Sequence, residues 1–226
     1  MPGRDSKRSS RPARVRMPRT APPPRPLAGL FMPQGYEAGY DYPLLVWLPD
    51  ASDRGFDLGR AMTRVSLRNF VAVQPAASDS PSLAEAVWEA IDGVASRASI
   101  HGRRIFLLGH GSGGTEAFRI ACRHADSFAG VISLGGPFPL DESLFAALHG
   151  VRRLPMLLCC RADAPPAAVQ HTDRTLRLFH AAGAMLAMRI YPGCNDLSRA
   201  ILGDVNRWLM DEICGPSTPL HSQCAP

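Results

Sequence analysis

Arg104-Ile105-Phe106-Leu107-Leu108-Gly109-His110-Gly111-Ser112-Gly113-Gly114 is the stretch that decides how this 226-residue chain folds. An apolar run suited to a buried strand enters a turn in which four of six residues are glycine, and residues through His124 continue with helical spacing. A strand that passes into a helix through so short a turn is crowded by its own backbone, and glycine is the residue that tolerates the crowding.

Outward from this turn the chain alternates strands and helices. The apolar runs Pro43–Leu48, Phe70–Val73, Arg104–Leu108, Gly130–Leu134, Met156–Cys160 and Leu186–Tyr191 read as strands buried on both faces. Between and after them, helices are expected over Leu58–Val65, Ser82–Ala98, Gly113–His124, Val169–Ala182 and about Ser198–Cys214. Ser82 and Glu85 have capping-box spacing, and Gly183 stands where a helix ends in the left-handed conformation. Strict alternation implies right-handed crossovers and a mostly parallel sheet covered on both sides: an α/β three-layer sandwich with no room for a large lid.

The domain is expected over residues 28–215. Apolar residues make up 46% of the chain and charged residues 20%, normal for a globular core. The formal net charge of +5 is unevenly placed: residues 1–27 hold Arg4, Lys7, Arg8, Arg11, Arg14, Arg16, Arg19 and Arg25 against Asp5, which is +7 and leaves −2 for the rest. With seven prolines and few large apolar residues, this segment is expected to be a disordered Arg/Pro-rich tail, available to nucleic acid or another acidic partner. Residues 216–226 are expected to be a flexible tail. No apolar stretch is long enough to span a membrane and no apolar leader follows the basic start, so a cytoplasmic protein is expected. The six cysteines show neither C-x-x-C pairing nor metal-like spacing with histidine; Cys159 and Cys160 read as buried thiols, and no metal or other cofactor is expected.

Two chemistries compete for the glycine-rich turn. Gly109, Gly111 and Gly114 match the G-x-G-x-x-G of dinucleotide-binding turns, but the turn is the third of its kind rather than the first, and Leu134-Gly135-Gly136 stands where an acidic ribose ligand would end the next strand. The other is G-x-S-x-G, in which a nucleophile tops a strained strand-to-helix turn and small residues are needed two before and two after it. Placing Ser112 at the apex puts His110 in a crowded position; placing Gly111 there puts Gly109 and Gly113 in both.

On these residues the chain, from roughly Tyr36 to Cys214, resembles the carboxylesterase/lysophospholipase branch of α/β hydrolases, which also holds the acyl-protein thioesterases. The resemblance implies an α/β-hydrolase fold and serine-dependent ester hydrolysis, and it assigns positions. Gly111 stands at the nucleophile, Asp163 at the acid and Asn195 at the histidine, while Pro49-Asp50 replaces the His-Gly that usually lies beside the oxyanion hole. The Ser112 N–H is the expected oxyanion donor. Glycine supplies no nucleophile and asparagine no proton relay. The expectation is therefore a catalytically inactive pseudo-hydrolase with a binding or regulatory role, its cleft able to take a small acyl or aromatic ligand. Two alternatives stand beside it: an active carboxylic-ester hydrolase using Ser112 in a rearranged turn, with His110 as a possible base, and a protein that acts through residues 1–27.

Overall fold

The computed structural model describes residues 27–76, 82–137, 148–163, 166–193 and 197–215. Residues 1–26 and 216–226, which hold nearly all of the two expected tails, lie outside these, as do Cys194 and Asn195. The described elements run β1 (Gly29–Phe31), β2 (Tyr42–Leu48), α1 (Leu58–Val65), β3 (Val71–Gln74), α2 (Leu83–Ala95), β4 (Ile100–His110), α3 (Ser112–Arg123), β5 (Gly130–Leu134), α4 (Leu148–Val151), β6 (Met156–Arg161), α5 (Pro166–Ala181), β7 (Leu186–Tyr191) and α6 (Arg199–Cys214).

Seven strands form one sheet in the order β1-β3-β2-β4-β5-β6-β7. All neighbours are parallel except β1, which runs antiparallel to β3 with Leu30 opposite Val73. The sequence pattern shows six of these strands; β1 is three residues long, too short to display a period. β4 also extends beyond the apolar run in both directions, through residues 100–103 before it and Gly109-His110 after it. α2 ends at Ala95 rather than Ala98, while its start agrees: the Ser82 side chain accepts from Glu85 N–H. Gly183 has φ +75° beyond α5, as its position after the helix requires.

Alternate residues of each strand feed two cores. Leu44, Val46, Leu48, Leu107, Val131 and Leu158 pack beneath α2, α3 and α5. Leu45, Trp47, Phe106, Leu108, Ile132 and Leu157 pack beneath α1 and α6, against Met62, Leu202 and Trp208. Both faces of the central strands are thus closed, and the parallel strand ends from β2 to β7 meet at one edge of the sheet. That edge carries the glycine-rich turn. No helix of the described residues is long and apolar enough to cross a membrane.

Leu107 is fully buried at the centre of β4. Leu107→Ala is expected to cost about 2–5 kcal/mol, the range for a leucine cavity in a core. The check is a lower midpoint in chemical denaturation at unchanged slope.

Candidate functional site

β4 ends at His110, α3 begins at Ser112, and Gly111 alone joins them, with φ +55° and ψ −130°. This backbone is sparsely populated for residues with a side chain, and no non-glycine residue among those described has positive φ. The turn is held by Gly111 N–H donating to Leu134 O at 2.9 Å, by Gly114 N–H donating to Gly111 O at 3.0 Å, and by the Thr115 hydroxyl donating to Pro137 O at 2.6 Å. A Cβ on Gly109 would stand 2.3 Å from Gly113 O, and one on Gly113 would stand 2.2 Å from Leu48 O and 2.4 Å from Pro49 O. Backbone crowds the positions two before and two after Gly111, the spacing expected around an elbow apex, and a Cβ on Gly114 would stand 2.3 Å from Ser133 Oγ.

Next to the apex lies the loop that leaves β2. Asp50 carries its main features. Its Oδ2 accepts from Ser112 N–H at 2.8 Å; its Oδ1 accepts from Ser52 N–H at 2.8 Å and from the Ser52 hydroxyl at 2.5 Å. The Ser52 hydroxyl above all, then the Ser112 and Ser52 N–H groups, hold the Asp50 carboxyl down at about 2, below its usual 3.8. The carboxylate also faces the N-terminus of α3, where a negative charge is favoured. Ser112 is committed to the same loop: its Oγ accepts from Ala51 N–H at 2.9 Å. The serine side chain thus bonds the neighbouring loop.

His110 is buried, 6% exposed, and packs against Phe56. Its Nδ1 lies 3.3 Å from Trp47 Nε1, which can only donate, so Nδ1 accepts and the neutral ring carries its proton on Nε2. That nitrogen lies 3.5 Å from Asp53 Oδ2 and 3.2 Å from Asp50 N. A protonated Nε2 cannot also accept from Asp50 N–H, so the approach to the carboxylate is the attractive one. His110 joins the β2 loop to the end of β4 and packs into the side of the sheet covered by α1.

The structure brings Pro49, Asp50, Gly111 and Ser112 together. Asp163 follows β6 at the same edge, with an exposed carboxylate whose Oδ1 accepts from Arg161 Nε at 3.1 Å. Asn195 lies outside the described residues. Ser52 and Ala51 were not expected at the site. Asp50-Ala51-Ser52 is the pattern of an Asx turn, in which a carboxylate bonds the backbone two residues on, and that local signal marks the loop but not what it faces. Elsewhere, burial raises the Cys122 and Cys159 thiols to about 12, so neither is a nucleophile at neutral pH. Among the described residues no group of three histidine, cysteine or acidic side chains is placed to hold a metal ion.

No family model matches the sequence, and no curated protein matches it. Solved structures do match the fold. The chain is similar to esterase 2 of Thermogutta terrifontis phosphoramylated by tabun, with a TM-score of 0.61 and 11% identity over 81% of this chain and 88% of that one. It is similar to a ferulic acid esterase (TM-score 0.58, 14% identity, 78% and 88%) and to the S-formylglutathione hydrolase of Staphylococcus aureus (TM-score 0.58, 14% identity, 75% and 81%). At these identities the likeness is one of fold: the chain has the α/β-hydrolase architecture of esterases.

The lowered Asp50 carboxyl makes a prediction with a definite sign. Its contribution to stability is complete above about pH 4 and is lost as pH falls through its folded value near 2. Wild type is expected to melt higher than Asp50→Asn above pH 4, and the gap is expected to close between pH 4 and 2. Parallel melting curves of the two proteins against pH provide the check.

Proposed function

We propose that this chain is a non-hydrolytic protein of esterase-like α/β-hydrolase fold, which uses the architecture for binding or regulation rather than for acyl transfer. The observation that carries the reading is the apex of the elbow: the residue between β4 and α3 with nucleophile-type backbone geometry is Gly111, which has no hydroxyl. Loss of the nucleophile from such a relay typically costs about a million-fold in turnover.

Ser112 does not make good the loss. It is the first residue of α3, and its Oγ is tied to Ala51 N–H. The titratable group bonded to its backbone N–H is Asp50, whose carboxyl at about 2 is too weak a base to activate a serine near neutral pH. His110 is buried between Trp47, Phe56 and Asp53, oriented by contacts of its own. A small acyl or aromatic ligand would bind at this edge of the sheet, where Asp163 follows β6, and the asparagine at 195 offers no proton relay.

A fluorophosphonate probe, read by intact mass, is expected to leave the protein unlabelled under conditions that label a serine esterase completely. Stoichiometric modification at Ser112 would overturn the reading and establish the rearranged-elbow hydrolase.

A second activity is supported by the charge separation, +7 in residues 1–27 against −2 in the remainder. These residues would serve as an arm for nucleic acid or an acidic protein. Binding to a short DNA duplex is expected to fall with salt, with a log–log slope of up to about −7 if all eight cations engage phosphates. The slope is expected to vanish when the segment is removed; a flat salt response would dispose of the arm.

A further inference from the structure

The glycines of the elbow are not glycine for one reason. Gly109 and Gly113 are crowded by backbone, by Gly113 O and Leu48 O respectively, so the turn itself imposes them. Gly111 is crowded by a side chain. A Cβ built there would stand 1.8 Å from Asp50 Oδ2, 2.7 Å from its Cγ and 3.0 Å from its Cβ. The carboxylate can retreat from that volume only by giving up bonds from Ser112 N–H, Ser52 N–H and the Ser52 hydroxyl.

The bond from Ser112 has a further consequence. In an elbow, the N–H of the residue after the apex is the donor that stabilises negative charge on the substrate oxygen. Here that donor is 2.8 Å from Asp50 Oδ2. The Ala51 N–H, on the facing loop, is spent on Ser112 Oγ. Both amides at the mouth of the site are satisfied from within the chain, and one of them already holds an anion.

We propose that Asp50 is the resident anion of this site: its carboxylate occupies both the volume of a nucleophile side chain at position 111 and the donor that would serve a substrate oxyanion. The present placement of the Asp50 carboxylate and a side chain at 111 are therefore mutually exclusive, and in this placement Asp50 closes the site independently of the missing hydroxyl. A serine at 111 cannot take up its place while Asp50 keeps its own. A ligand at this edge meets a carboxylate where an esterase offers a donor, which disfavours anionic groups and favours hydrogen-bond donors or cations at that point, so the carbonyl oxygen of an acyl ligand would face away from it. The inference rests on the apex assignment made above, but its test does not depend on the absence of hydrolysis.

Gly111→Ala, which adds only the Cβ, and Asp50→Gly, which removes the carboxylate, make the cycle. Gly111→Ala is expected to lower the melting temperature by about 5 °C or more in the wild-type background, and by less than about half as much in the Asp50→Gly background, as for directly coupled neighbours. Equal losses in the two backgrounds would overturn the proposal. So would a Gly111→Ala chain that fails to fold in both, since its cost would then belong to the left-handed backbone alone. A second measurement uses the Ser112 amide resonance. Sodium acetate, against sodium chloride at equal ionic strength, is expected to move that resonance in Asp50→Gly and not in wild type. An equal response in the two proteins, or none in either, would count against a resident carboxylate. Fluorophosphonate labelling of wild-type Ser112 would end the non-hydrolytic reading whatever the cycle shows, so the two claims fail separately.

Discussion

Everything at the functional edge follows from the close approach of three backbone segments where β4 turns into α3. Gly113 lies against the carbonyls of Leu48 and Pro49 at the end of β2, and Gly109 lies against Gly113 itself. The approach locks the end of β2 to the start of α3 and delivers the Pro49–Ser52 loop to the apex. It also leaves the first amide of α3, Ser112 N–H, pointing at that loop, with the positive end of the helix dipole behind it. The acidic residue at position 50 is held by that amide, so the strand-to-helix turn binds the protein's own carboxylate.

The sheet supplies the rigidity that such a contact needs. β2, β4 and β5 are central and parallel, with Leu48 paired to Gly109 and His110 paired to Leu134. Their side chains alternate between two closed cores, so neither strand can shift relative to the other without opening both. His110 adds a lateral tie, its ring packed on Phe56 beside Trp47 and its Nε2 turned toward Asp53. The loop that carries Asp50 is therefore fixed at both ends, by strand pairing on one side and by the histidine on the other.

The solved structures that share this fold include esterases. In this chain the strand–turn–helix backbone carries glycine at position 111. Keeping a sparsely populated φ and ψ at Gly111 costs little, because glycine reaches them freely. The turn follows from the packing of Gly109 and Gly113, which fixes where Gly111 stands.

Much of this was legible in residue order alone. Apolar runs of strand length, the serine and glycine that bound α2 and α5, and the spacing of Gly109, Gly111 and Gly113 determine the fold and the elbow, because each depends on local sterics or on burial that a single segment reveals. The missing hydroxyl at 111 and the change at Pro49-Asp50 are visible in the same way. Sequence could not show β1, whose three residues become a strand only by pairing with β3. Nor could it show what Asp50 does. Asp50 and Ser112 are separated by 61 intervening residues, and the bond between them exists only because a central sheet brings the ends of β2 and β4 side by side. Which residues are small is written locally; what fills the space they leave is decided by the tertiary fold.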